Sequence, residues 1–211
     1  MLRGGAGVPT ALFAIAYFCF FFLVYGLNTW LTQLLRGVGY EMSVALKLLI
    51  VLNAAALVGS LCGAWLADRI GMRGVAAGSA LLVAIGLVLL ALLKPPLALT
   101  AILIFVSGFA MGSAQGVMWT YLATYYPSES RASALGLCSG IGRLGAAAAP
   151  FLVGIFVGAG MGLAGNILVL AGAAILAALT IVFVPRKPEP PVPLQPAGSA
   201  ESSGSLDRAN A

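Results

Sequence analysis

Histidine is absent from the 211 residues, charge is scarce and no cysteine has a partner at a recognisable spacing. The first absence removes imidazole catalysis and imidazole metal ligation. The second is decisive for class: 8% of residues are charged and 61% hydrophobic, against roughly 25% and 45–50% in ordinary soluble domains. A water-soluble fold of this size cannot hide that much apolar surface. Cys19, Cys62 and Cys138 all fall in apolar runs, so neither a disulfide framework nor a zinc site follows. No metal-ligand cluster, Ser/His pair or carboxylate pair is present, which leaves an integral-membrane enzyme without chemistry. The first apolar run is too long for a secretory signal and lacks a small-residue cleavage pattern.

What is present is a series of runs long enough to cross a hydrocarbon core, which takes about 20 apolar residues. Charges punctuate them and predict an all-α integral membrane protein of six transmembrane helices: residues 10–35, 47–68, 73–94, 97–126, 133–157 and 163–184. An even number of spans puts both termini on one side. Arg3, Arg69, Arg73, Arg131, Arg186 and Lys187 lie on one side, and Arg36, Lys47 and Lys94 on the other. By the positive-inside rule both ends are expected in the cytoplasm of a cell whose inner membrane the chain spans. Residues 1–9 read as a cytoplasmic segment and 10–185 as the membrane domain. The Pro-, Gly- and Ser-rich residues 186–211 read as a disordered cytoplasmic tail. The net charge of +5 is scattered over helix ends and forms no patch, so nucleic acid is not an expected partner; the lipid bilayer is.

Three motifs carry a resemblance. After the second span the chain reads Gly63-Ala-Trp-Leu-Ala-Asp68-Arg69-Ile-Gly71-Met-Arg73. After the fourth it reads Tyr126-Pro-Ser-Glu-Ser-Arg131-Ala132, and within the fifth Gly140-Ile-Gly142-Arg143-Leu-Gly145. The first resembles the G-x4-D-R-x-G-x-R loop of the major facilitator superfamily. The second resembles the Y-P-[ST]-x-x-R-[AG] loop between the tenth and eleventh helices of many such transporters. Where many relatives carry a glutamate before that proline, this chain has Ala123, Thr124 and Tyr125. The third, with Tyr25-Gly-Leu-Asn28-Thr-Trp30-Leu31 and Gly39-Tyr40, is similar to the aromatic acid:proton symporter family over about residues 12–185. The resemblance implies one half of a major facilitator fold, the C-terminal six helices. It also implies a cytoplasmic gate at Asp68, Arg69, Gly71, Arg73 and Arg131, with Asp68 capping or pairing near a helix end.

Arg143 is the one charged residue inside a predicted span. Burying it costs roughly 2.5–3.5 kcal/mol on insertion scales, so it needs a partner. A guanidinium fork matches a carboxylate, and no acidic residue lies in any span. The partner is therefore expected outside this chain or in a small organic anion substrate; a structural arginine bonded to backbone carbonyls is the competing reading. Tyr25, Asn28 and Thr32 share a helical face by spacing, as do Met111, Gln115 and Trp119, and Ser139 stands one turn from Arg143. With Arg143, the side chains of Tyr25, Asn28, Gln115 and Trp119 are candidate substrate contacts, while Asn53 reads as a packing residue. Gly108, Gly112 and Gly116, and likewise Gly154, Gly158 and Gly162, predict tight helix packing.

The functional expectation is a secondary transporter half for aromatic or related organic acids, coupled to a proton gradient and needing no cofactor. Its partner would be an N-terminal six-helix half or a second copy, and a truncated or split gene would account for the length. An exporter of drug-like compounds and a non-transporting six-helix partner protein are the alternatives.

Overall fold

The computed structural model describes residues 7–93 and 96–185, and among these every regular element is an α-helix. They are α1 (Gly7–Gly37), α2 (Met42–Ile70), α3 (Met72–Leu93), α4 (Leu97–Tyr125), α5 (Ser128–Gly158) and α6 (Leu163–Phe183). All six are long and apolar enough to cross a membrane. Arg3, Lys94, Arg186, Lys187 and the expected tail lie outside the described residues.

The helices overrun the predicted spans where charges had marked the limits. Lys47 lies inside α2, Arg36 in the last turn of α1, and Glu129 and Arg131 in the first turns of α5. A charge at a helix end sits at the membrane surface without stopping the helix. Glu129, moreover, complements the positive end of the α5 dipole. Proline is the real punctuation: Pro96 and Pro127 immediately precede α4 and α5. Gly71 ends α2 at φ +92°, its N–H bonded to the Ala67 carbonyl, a backbone conformation that favours glycine.

The principal packing is α2 on α4, α1 on α5, α3 on α4 and on α6, and α1 on α6. Exchanging α1–α3 for α4–α6 leaves this pattern unchanged, so the bundle is a pair of three-helix repeats. Glycines set the closest contact. A methyl group on Gly59 would strike the Phe109 carbonyl, on Gly108 that of Leu52 and on Gly112 that of Ala56, which locks α2 against α4 backbone to backbone. Between α5 and α1 the same task falls to Gly145, beside the Phe18 carbonyl, and to Gly142, where an added methyl group would come within 3.2 Å of the Phe21 ring. The expected Gly154–Gly158–Gly162 face is corrected. Gly154 meets the ring of Trp30, Gly158 meets nothing within 4 Å, and Gly162 lies beyond the helix. The α5 helix contains Pro150, and its carbonyl accepts a 3.0 Å bond from Trp30 Nε1.

Of the six helices, α2 and α5 are the least buried. They do not touch each other, and α1 and α4 lie between them.

Candidate functional site

Aromatic side chains run along α1 and join it to α4. Tyr17, Phe21 and Tyr25 recur every four residues on α1 and stack in sequence, centroids 6.2 and 6.1 Å apart with rings within 20° of parallel. Trp119 of α4 meets Tyr17 edge-on at 5.4 Å. Tyr17 is buried and donates a 3.1 Å bond to the Met118 carbonyl, so the ladder is anchored across the two repeats. Exposure rises along it: Tyr25 is 48% and Trp119 37% accessible. Spacing alone contained Tyr17 and Phe21, but aromatic residues are so common in membrane spans that the run carried no signal until α4 met it.

Arg143 lies midway along α5, one residue after Gly142, the glycine seated against Phe21 and the Tyr17 carbonyl. It is exposed, and among the described residues no carboxylate pairs with it. The helix runs about fifteen residues to either side, longer than a hydrocarbon core of about 30 Å requires, so a residue midway along it lies roughly 15 Å from either face. Ser139, one turn earlier, bonds the Gly136 carbonyl at 3.2 Å and not Arg143. Gln115 is exposed on α4, but Met111 is buried in the core, so the expected Met111–Gln115–Trp119 face is corrected to its last two members.

Asn28 and Asn53 are brought together. Asn53 Nδ2 donates to Asn28 Oδ1 at 3.0 Å, bridging α1 and α2, and its side chain is exposed. Asn53 thus acts as the packing polar residue expected of it, and only the fold names its partner, because the two lie on different helices.

The expected gate residues separate. Arg73 donates to the Val182 carbonyl at the end of α6, and Arg69 lies 4.0 Å over the Trp65 ring. Arg131 is exposed on the first turn of α5. Asp68 is exposed and makes no cap, ion pair or hydrogen bond among the described residues, against the expectation that it would. Its helix end is closed instead by Gly71. A cavity of about 580 Å³ lined by Gly71, Arg73, Tyr121, Thr124 and Val182 opens beside them. Nearby, Thr10 and Tyr126 bond at 2.7 Å, and Phe13 packs edge-on against Tyr121 and Tyr125 at 5.1 and 5.3 Å, closing α1 onto α4 at this end. Burial raises the Tyr126 phenol above its ordinary pKa, keeping it neutral.

The sequence model of the Major Facilitator Superfamily matches residues 13–206. The chain belongs to the major facilitator superfamily. Its six helices form one half of that fold in a multi-pass membrane protein. A gentisate transporter of Corynebacterium glutamicum is 36% identical over 178 residues, 82% of this chain and 39% of that protein. A benzoate transport protein of Acinetobacter baylyi is 34% identical over 188 residues, 89% of this chain and 40% of its own length. The chain thus spans about two-fifths of these superfamily relatives. Among solved structures, the POT family transporter PepTSo superposes with a TM-score of 0.76 at 16% identity, over 89% of this chain and 40% of that one. At that identity the likeness concerns the fold.

Proposed function

We propose that this chain is the C-terminal half of a secondary active transporter that takes up aromatic or related organic acid anions across the inner membrane, both termini cytoplasmic, driven by a proton gradient. The observation that carries it is Arg143. It is a mid-span guanidinium with no carboxylate partner among the described residues, one position from the glycine that abuts an aromatic ladder. A carboxylate satisfies the fork and a flat ring finds stacking surface at Phe21, Tyr25 and Trp119. Asn28 and Gln115 supply polar contacts. The names of the gentisate and benzoate relatives support the same substrate chemistry. Proton-coupling acids would come from six further helices packed against α2 and α5. Asp68, Arg69, Gly71, Arg73 and Arg131 would form the cytoplasmic gate as those helices move.

The test is accumulation of radiolabelled benzoate and hydroxybenzoate by cells expressing the whole transporter that contains these helices. Arg143→Ala is expected to abolish it, with the protein still in the membrane by immunoblot. Unchanged uptake overturns the role of Arg143, and uptake that persists in the presence of a protonophore overturns proton coupling.

A further inference from the structure

We propose that the turn between α2 and α3 holds one anionic phospholipid, its phosphate headgroup at Arg73 and an acyl chain in a crevice between α2, α3 and α4. The inference concerns the bilayer, not the transported substrate.

Two cavities of opposite character adjoin at this turn. The first, of about 580 Å³, is the one beside Arg73, with Tyr121 and Thr124 facing it from α4 and Val182 from α6. The second, of about 430 Å³, is bounded by Gly63 and Trp65 of α2, Gly78 and Leu82 of α3, and Phe109 of α4. Ile70 and Gly74 line both, so the two meet where α2 gives way to α3.

The second cavity suits hydrocarbon. A methyl group on Gly74 or Gly78 would meet nothing within 4 Å, so α3 leaves the crevice open by carrying no side chain on two successive turns. From Gly74 to Leu82 it follows α3 for about 12 Å at 1.5 Å per residue. The Ser79 and Ser113 hydroxyls that line it bond to each other at 3.1 Å. Trp65 is exposed in its wall, as an aromatic side chain is at the level of lipid headgroups.

The first cavity suits an anion. Arg73 donates to the Val182 carbonyl and pairs with no carboxylate among the described residues, which leaves most of its five N–H donors unspent. The Tyr121 hydroxyl makes no hydrogen bond among those residues. A second cation, Arg69, lies over the Trp65 ring and so beside the crevice. Asp68, the one acid of the turn, lines neither cavity. A free phosphate would meet Arg73 and leave the crevice empty, whereas a phospholipid fills both. A zwitterionic headgroup brings an ammonium that finds no carboxylate in the cavity, so the site selects an anionic one.

Trp65 serves as the reporter, because a brominated acyl chain quenches indole fluorescence on contact. The whole transporter, purified in detergent, is titrated with phosphatidylglycerol or phosphatidylcholine carrying the same dibrominated chains. The Trp65 signal is the difference between wild type and Trp65→Phe, which keeps a ring under Arg69. Phosphatidylglycerol is expected to quench it at about tenfold lower mole fraction, the scale of one charge-assisted hydrogen bond. That preference should fall to within about twofold in Arg73→Gln and persist in Lys47→Gln, at the other end of the bundle. In Gly78→Leu, whose side chain fills the crevice, quenching by either lipid should be lost. Glycerol phosphate, a headgroup without chains, should not displace the lipid at equal concentration; displacement would mean a site for free phosphate and overturns the proposal. Equal quenching by the two lipids in the wild type overturns it without any charge variant, as does a preference that survives in Arg73→Gln. Absence of Trp65 quenching would mean that protein covers the crevice, and overturns it too.

Discussion

At the scale of single residues, the isolated charge of Arg143 was legible and the partner of Asn53 was not, for a physical reason. A charge inside an apolar run declares itself through its solvation cost, whichever helix it faces. An amide declares itself only through its partner, and Asn28 and Asn53 meet across two helices. The gate residues show the same limit. Spacing placed Asp68, Arg69 and Arg73 in one short loop, yet folding sends Arg73 to the α6 carboxyl end and Arg69 onto Trp65. At Arg143 the form of the cation matters as well as its charge. Lysine keeps the charge but offers one ammonium in place of a planar fork, and cannot hold a carboxylate bidentately. Arg143→Lys is therefore expected to raise the KM for 4-hydroxybenzoate about tenfold, with much less effect on the maximal rate, one charge-assisted bond being lost. A KM within about twofold of the wild type would show that charge alone suffices there.

At the scale of helices, apolar runs located all six elements, because crossing a bilayer imposes a length that sequence must meet. Their ends were misplaced where charged residues lie within the first two turns, as Lys47 and Arg131 do. Glycine periodicity was only half informative. Gly108 and Gly112 press on the backbone of α2, whereas Gly158 faces open space, and the sequence pattern is identical in the two cases. The difference predicts opposite outcomes for one substitution. Gly112→Ala drives a methyl group into the Ala56 carbonyl and should destabilise the bundle by about 1–3 kcal/mol, as overpacking does. Gly158→Ala meets nothing within 4 Å at the end of a helix and should leave stability within about 0.5 kcal/mol of the wild type. Thermal unfolding of the detergent-purified protein, followed by tryptophan fluorescence, compares them. Equal midpoints for the two variants would mean that α2 and α4 are not in backbone contact.

At the scale of the whole molecule, the two repeats leave α2 and α5 as the least covered helices. α2 carries Asn53 and α5 carries Arg143, both exposed, so what packs on these two helices covers both residues. Which end of the bundle faces the cytoplasm depends on orientation, and charge predicts it. Among the described residues Arg69, Arg73 and Arg131 lie at one end of the bundle, and Arg36 and Lys47 at the other. By the positive-inside rule the excess predicts the Asp68–Arg73 turn and the start of α5 inside and the α1–α2 turn outside. Cysteine labelling tests this directly, because Cys19 and Cys138 are buried and Cys62→Ser removes the exposed thiol. In that background Val38→Cys, in the α1–α2 turn, should react with a membrane-impermeant maleimide on intact cells. Ser128→Cys, at the first residue of α5, should react only after the membrane is permeabilised. The reverse pattern would put the closed Thr10–Tyr126 end outside and turn the inferred direction of substrate access around. The expected pattern makes the aromatic contact of α1 with α4 a cytoplasmic one.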